Sequence, residues 1–301
     1  MCAGLPPCGR GFVSVTHGAS LTAVLSMDQH AIFQSYLDQW GLVADGHPIT
    51  TRVAKLLPVL RNGEAAMLKV SHEKDERLGG VLMEWWDGEG AARVLAWDHD
   101  ALLLERASGS RSLGDMARSG LDEDASRILC ATAMALHAPR ARQRPELIPL
   151  NQWFRDLEPA ASRYGGILKR STEAAQMLFA EPREIVVLHG DLHHDNVLDF
   201  GERGWLAIDP KRLLGERGFD FANIFTNPDL ADPSRPVATM PGRFSRRLDV
   251  VTQAAKLERR RLLLWILAWT GLSASWFLND GDPLAAIDLQ IAELAAGELD
   301  Q

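Results

Sequence analysis

The residues whose types and spacing could do chemistry lie within residues 185–209. Four apolar residues, Ile185-Val186-Val187-Leu188, run into His189-Gly190-Asp191, and Asn196 follows Asp191 by five positions. A second pair of apolar runs, Val197-Leu198 and residues 205–208, ends on Asp209. A carboxylate and a carboxamide on one short loop, with a second carboxylate at the end of a hairpin, can converge on a single point. Asn196 and Asp209 offer hard oxygen donors of the kind Mg²⁺ takes. Asp191 is then available to orient or deprotonate a nucleophile. Three histidines, His189, His193 and His194, crowd the same loop, but adjacent imidazoles such as 193 and 194 do not readily share one ion. His189 reads as a structural residue that holds the loop by hydrogen bonds.

This order of groups is that of kinase catalytic loops, H-R-D-x-x-x-x-N followed by a metal-binding Asp, with Gly190 in place of the arginine. Lys69 in Met67-Leu68-Lys69-Val70 resembles the strand lysine of V-A-I-K, whose ammonium neutralises nucleotide phosphates as a point charge. Only six lysines occur among the 32 basic residues, so this one stands out. Its expected acidic partner lies on the following helix, with Glu73, Glu76 and Glu84 as candidates and Glu76 as the choice. Lys211 could reach a phosphate or sit on the surface. No G-x-G-x-x-G or G-x-x-x-x-G-K-[ST] loop is present, and Thr50-Thr51-Arg52-Val53 occupies the turn that would cover phosphates.

The string HGDLHHDNVL followed by GWLAIDPK resembles the aminoglycoside phosphotransferases and their choline-kinase-like relatives, in particular the streptomycin 6-kinase and hydroxyurea phosphotransferase branch. Leu102-Leu103-Leu104-Glu105-Arg106 is similar to that branch's hinge, Leu57-Pro58-Val59 and Met67-Leu68-Lys69-Val70 to its ATP-lobe strands, and Gly218-Phe219-Asp220 to the segment after its metal site. The family's glutamate partner for the lysine falls on Gly79, a departure from the pattern. The resemblance implies a protein-kinase-like α+β fold of two lobes. It implies ATP and Mg²⁺ as cofactors, with adenine held by backbone around Leu104, Glu105, Arg106 and Ala107. Asp191 would be the catalytic base, Asn196 and Asp209 the metal ligands, and Lys69 with Glu76 the phosphate-binding pair. Asp220 would tie the catalytic loop in place. The implied activity is phosphoryl transfer to a hydroxyl of a streptomycin-like aminoglycoside or to hydroxyurea, of the antibiotic-resistance type. The rival readings are a metabolic kinase for a choline-, homoserine- or sugar-like alcohol, and a catalytically silent nucleotide-binding module. A cationic acceptor calls for carboxylates facing Asp191, with Asp195, Asp229, Asp232 and Asp280 as candidates.

The elements that must position these groups fall in two sets. Phe33, Leu37 and Trp40 mark an amphipathic helix ending near Gly41. Residues 49–60 and 65–70 read as strands about an Asn62-Gly63 hairpin turn, and 93–96 and 101–105 as two more. Residues 73–86 between them read as a helix, which Gly79-Gly80 weakens. Beyond Ser108-Gly109-Ser110 the pattern turns helical, over 121–137, 152–164, 171–179, 257–278 and 284–296. The predicted organisation is a loose extension over 1–26, a nucleotide-binding lobe over 27–106, and a helical lobe over 107–301 that carries the catalytic loop and substrate site.

Composition sets the outer bounds. The 301 residues are 46% hydrophobic and 24% charged, an ordinary globular balance. A net charge of −8 argues against a nucleic-acid partner, which would call for a basic face. Cys2, Cys8 and Cys130 are too few and scattered for a disulfide framework, which suits a cytoplasmic setting. The longest apolar run, residues 262–278, is shorter than the ~20 residues a span takes, so a buried helix is expected and no membrane partner.

Overall fold

The computed structural model describes residues 32–301, except residues 52 and 73 and the side chains of residues 74–78. The expected extension over 1–26 lies outside the described residues. A first helix, α1 (residues 32–40), precedes a six-stranded antiparallel sheet. Its strands are β1 (Leu42–Ala44), β2 (Ile49–Thr50), β3 (Lys55–Arg61), β4 (Glu64–Val70), β5 (Val94–Asp98) and β6 (Ala101–Glu105), in the order β1-β3-β4-β6-β5 with β2 on β3. The run read as one strand over 49–60 is broken at residues 51–54, where the chain turns so that β2 folds back on β3. The β3–β4 connection is the expected two-residue hairpin. Arg61 pairs with Glu64, and Asn62 (φ 54°) and Gly63 (φ 85°) both take the positive φ that a type I′ turn demands.

The alternation of the strands decides which groups reach the site. Ala66, Leu68 and Val70 of β4 and Leu103 of β6 pack with Phe33 of α1 on one face. Met67 and Lys69 of β4 and Leu102 and Leu104 of β6 therefore fall on the other face, where they line a cleft. Helix α2 (Lys74–Trp86) connects β4 to β5 and runs through Gly79-Gly80 without interruption.

After β6 the chain forms α3 (Leu113–Met116), a π-helical turn (Ala117–Leu121) and α4 (Asp122–His137). There follow β7 (Ile148–Pro149), α5 (Leu150–Trp153), α6 (Leu157–Tyr164) and α7 (Ile167–Ala180). The strand-and-loop stretch comes next: β8 (Ile185–Leu188), then β9 (Val197–Asp199) paired with β10 (Trp205–Ala207), then β11 (Leu213–Glu216) on β8. Helices α8 (Gly218–Ala222), α9 (Arg243–Ala255), α10 (Arg259–Asp280) and α11 (Ala285–Leu299) complete the lobe. Helix α10 is its central post: Leu262, Ile266, Trp269 and Leu272 are buried, and Trp265 stacks edge-to-face on Phe154, Phe179 and Phe219. The apolar run at 262–278 is thus core.

Helix α9 was absent from the elements expected from periodicity. Its buried face holds Phe244, Leu248 and Val251, but also Arg247. A charge in the apolar stripe hides the period. It is tolerated because Arg247 meets the Asp122 carboxylate of α4 at 2.5 Å and donates to the Ile224 and Asn227 carbonyls at 2.7 and 2.6 Å.

Candidate active site

The cleft between the sheet and the helical lobe encloses about 940 Å³, in the range of small-molecule sites. Leu104, Glu105, Arg106, Asp191, Asn196 and Asp209 line it, and so do Arg118, His194 and Asp232. Residues from Thr51 to Arg235, 184 positions apart in sequence, are thereby brought to one space.

The catalytic loop is held from beneath. Asp220, wholly buried at the start of α8, accepts the N–H groups of His189 (2.9 Å) and Gly190 (2.8 Å), and the ring of His137 at the end of α4 (2.7 Å). This is the tie expected of Asp220; the contribution of His137, 83 residues away, left no local signal. His189 is spent on structure. Its Nδ1 accepts the Asp191 N–H (3.2 Å), its Nε2 meets the Ile208 carbonyl (2.8 Å), and burial holds its pKa below the usual value, so the ring is neutral. With Nδ1 accepting, the proton sits on Nε2 and is donated to Ile208. Gly190 has φ +84°, and a Cβ there would come within 2.8 Å of the Leu213 side chain, which is why no arginine stands in this loop.

Asp191 is 4% exposed, and a carboxylate oxygen lies 3.8 Å from His193 Nε2. Asn196 donates its amide nitrogen to the Asp191 carbonyl (2.9 Å), so its amide oxygen is the atom left for a cation. Asp209, just beyond β10, takes φ +67°, a conformation that turns the chain sharply as it leaves the strand. Its carboxylate is ion-paired with the ammonium of Lys69 across the cleft. An Asp carboxylate and an Asn carbonyl are a hard, all-oxygen donor set that fits a Mg²⁺-sized cation.

The departure at Gly79 has a packing cause. A Cβ there would sit 2.7 Å from the Pro210 carbonyl, directly after Asp209. Helix α2 therefore abuts the Asp209-Pro210 turn, with no room for a glutamate. The side chain of Glu76, the expected partner of Lys69, lies outside the described residues. Among the described residues, Lys69 is ion-paired with Asp209, 140 residues on.

At the hinge, Leu104 contributes an apolar wall. The Glu105 carboxylate is ion-paired with Arg203 and accepts the Arg93 N–H (2.6 Å), while Arg106 donates to Asp45 (2.5 Å). The N–H groups of Glu105 and Arg106 go to the Arg93 (3.0 Å) and Ala65 (3.4 Å) carbonyls. These two side chains thus tie the hinge to both lobes. The Thr51 hydroxyl is likewise committed, bridging to the Ala54 carbonyl (2.9 Å) and N–H (3.0 Å). Lys211 lines the cleft, and its N–H donates to the His189 carbonyl (2.7 Å).

Of the candidate carboxylates, Asp195 and Asp232 line the cleft. Asp229 is structural: it is buried and accepts the N–H groups of Val237 (2.7 Å), Ala238 (2.8 Å) and Thr239 (3.0 Å). Asp280 ends α10 and is not among the cleft-lining residues. Among the cleft-lining residues, sequence reasoning passed over Arg118 and Arg235 and weighed His194 only as a metal ligand. His194 is 2% exposed, neither ring nitrogen has a hydrogen-bond partner among the described residues, and burial, then Arg247, His193 and Arg118, hold its pKa well below the usual value.

Comparison with known proteins agrees with this geometry. Residues 39–281 match the model of a family described as aminoglycoside/hydroxyurea antibiotic resistance kinases. The chain is 53% identical to a streptomycin 3''-kinase of Klebsiella pneumoniae, over 88% of this chain and 100% of that protein. It is 32% identical to a streptomycin 6-kinase of Streptomyces glaucescens, over 88% of this chain and 87% of that one. An aminoglycoside phosphotransferase solved in ternary complex with AMP-PNP and hygromycin B superposes with a TM-score of 0.62 at 16% identity, covering 90% of this chain and 97% of that one. The fold is the protein-kinase-like one that the catalytic loop implied.

Proposed function

This chain belongs to the aminoglycoside/hydroxyurea antibiotic resistance kinase family, and from that premise we propose that it transfers the γ-phosphoryl group of ATP to a hydroxyl of streptomycin. The observation that carries the choice of acceptor is the 53% identity, over 88% of this chain, with a streptomycin kinase. The cleft-lining carboxylate of Asp195 supports a cationic acceptor, while that of Asp232 is taken up by Arg235 (2.7 Å) and Ser234.

In this reading Asp191 accepts a hydrogen bond from the acceptor hydroxyl and aligns its lone pair with the γ-phosphorus. The new O–P bond forms as the bond to the β–γ bridging oxygen breaks; the hydroxyl proton passes to Asp191 and ADP leaves. Lys69 holds phosphate oxygens by charge. Asn196 and Asp209 would hold Mg²⁺, which neutralises charge on the phosphate oxygens when bound. The ion pair of Asp209 with Lys69 supports this assignment, since the cation and the phosphates they would hold must be neighbours. The apolar wall at Leu104 would take adenine. The lobes on either side, 27–106 and 107–301, would bind nucleotide and acceptor respectively. An enzyme that consumes ATP works where ATP is, so the proposed compartment is the cytoplasm.

The test is Mg²⁺-ATP turnover with streptomycin, other aminoglycosides, hydroxyurea and choline, with Asp191→Asn beside the wild type. Turnover with streptomycin should fall by a factor of ~10³ in the variant, within the usual range for a general base, while ATP still binds. Phosphorus NMR of the product assigns the 3'' or the 6 hydroxyl. Turnover with hydroxyurea or choline and none with streptomycin would refute the acceptor; full activity of Asp191→Asn would refute the mechanism.

A further inference from the structure

The catalytic loop carries three histidines, and two of them are used by the fold. His189 has both ring nitrogens bonded, to the Asp191 N–H and the Ile208 carbonyl. His193 accepts the Asp195 N–H at 3.3 Å and faces Asp191 at 3.8 Å. His194 is different. Its ring is 2% exposed, it lines the cleft, and neither nitrogen has a partner among the described residues. A buried polar group left unpaired costs about 1–3 kcal/mol, so native proteins pair nearly all of them. Two unpaired nitrogens on a side chain that borders the cleft mark a place where a ligand supplies the missing partner. Arg118, which also lines the cleft, has a buried Nε without a partner among the described residues, although its terminal nitrogen donates to the Pro228 carbonyl (3.3 Å).

We propose that His194 contacts the phosphoryl acceptor, hydrogen-bonding an uncharged oxygen (a hydroxyl or carbonyl) of the bound aminoglycoside. This rests on the streptomycin reading above and extends it to a residue that selects and orients the acceptor. Position and charge both argue for it. His194 lies three residues after Asp191 on a loop whose base is pinned by Asp220, so the distance from this ring to the attacking hydroxyl is set by the backbone. The charged groups that act on the ring are Arg247 and Arg118, with His193 beside them. Arg247 is paired with Asp122, whereas Arg118 lies only 3.9 Å from the largely exposed Asp115. That neighbourhood repels an ammonium or guanidinium and accepts a neutral oxygen. Asp195, exposed on the rim, meets the positive charges instead. The acceptor end is thereby divided: cations are read at the rim and a neutral oxygen at the floor.

The experiment compares wild type with His194→Phe, His194→Leu and His194→Gln. Acceptor KM is measured at saturating Mg²⁺-ATP, ATP affinity by calorimetry, and folding by thermal melting. His194→Phe should raise the acceptor KM at least tenfold while the Kd for ATP moves less than twofold. His194→Gln, which restores a donor and an acceptor, should recover most of that loss. If the phenylalanine is too bulky to fold, His194→Leu decides with the same expected loss. Acceptor KM within twofold of wild type in the apolar variants, with only a shift in melting temperature, would overturn the proposal and leave His194 a packing residue. Absence of streptomycin turnover in the wild type overturns the functional reading instead, and the comparison is then run on the panel acceptor that the wild type does phosphorylate. Turnover of no acceptor overturns both.

Discussion

Gly190 and Asp209 place the chemical groups through backbone conformations that most side chains disfavour. At Gly190 the positive φ and the Leu213 contact act together. Gly190→Ala should cost about 2–3 kcal/mol, the sum of an αL penalty and a small overpacking strain. It should also lower kcat far more than an equally destabilising change elsewhere, because Asp191 is the next residue. Thermal melts and kinetics on the same preparation check this; a melting shift with unchanged kcat would show that the loop relaxes without moving Asp191. The same scale accounts for Lys69. Its strand, and its side of the strand, are readable from the alternation of β4, but its ion pair with Asp209 joins residues 140 apart. The departure at Gly79 kept a silent nucleotide-binding module in view. With the Pro210 carbonyl 2.7 Å from where a Cβ would be, that glycine is a packing requirement of the Asp209-Pro210 turn.

Helix α2 and the Asp209-Pro210 turn work as one unit, so a change on the helix should be felt in nucleotide binding. Gly79→Ala adds only a methyl group and raises helix propensity by about 1 kcal/mol, which on an exposed helix would stabilise it. Here the clash with backbone should reverse the sign, lowering the melting temperature and raising the KM for ATP severalfold. A stabilised variant with unchanged KM for ATP would show that α2 moves freely over the turn. The elements with a clean period were legible in the sequence: the hairpin at Asn62-Gly63, the strands β4 and β6, and the helices α4 and α10. Helix α9 was not, because Arg247 interrupts its apolar stripe, and its burial is made tolerable by distant groups: the Asp122 carboxylate, 125 residues earlier, and the Ile224 and Asn227 carbonyls. The turn expected at residues 50–53 was legible despite its lack of glycine; what the sequence did not show is that the Thr51 hydroxyl closes it by bonding to Ala54.

For the molecule as a whole, the helical lobe is joined internally by buried charge as well as by aromatic packing. Glu216 at the end of β11 meets Arg261 at 2.6 and 2.7 Å and the Trp265 indole at 2.9 Å, linking the sheet beneath the catalytic loop to the central helix α10. Burial pushes its carboxyl up, but Arg261, Trp265 and the Arg183 N–H together hold it below the usual value. A depressed folded-state pKa contributes stability that is present above the unfolded value near 4.5 and is lost as pH falls through the folded one. Glu216→Gln should cost roughly 3 kcal/mol at neutral pH, where it leaves Arg261 buried without its counter-charge. It should cost less once pH has fallen through the depressed folded-state pKa, where the wild type loses the same interaction. Denaturant melts across pH 3–7 test this, and a pH-independent difference between the two proteins would contradict it.

What the sequence determined by itself was the chemistry that hangs on contiguous residues. Asp191 and Asn196 are five positions apart on one loop and Asp209 ends the hairpin that follows, so local chain geometry is enough to bring all three to one cleft. The two-lobed fold was legible for a related reason: period-2 and period-3.6 patterns are properties of short windows. Tertiary structure alone decided the ion pair of Lys69 with Asp209, the reason for Gly79, the tie from His137 through Asp220, and the division of three neighbouring histidines into two that hold the loop and one without a partner among the described residues. Each depends on a contact between distant segments. Whether a buried polar group is satisfied is fixed by what the rest of the chain packs against it, and nothing in the type or spacing of the residue itself carries that information.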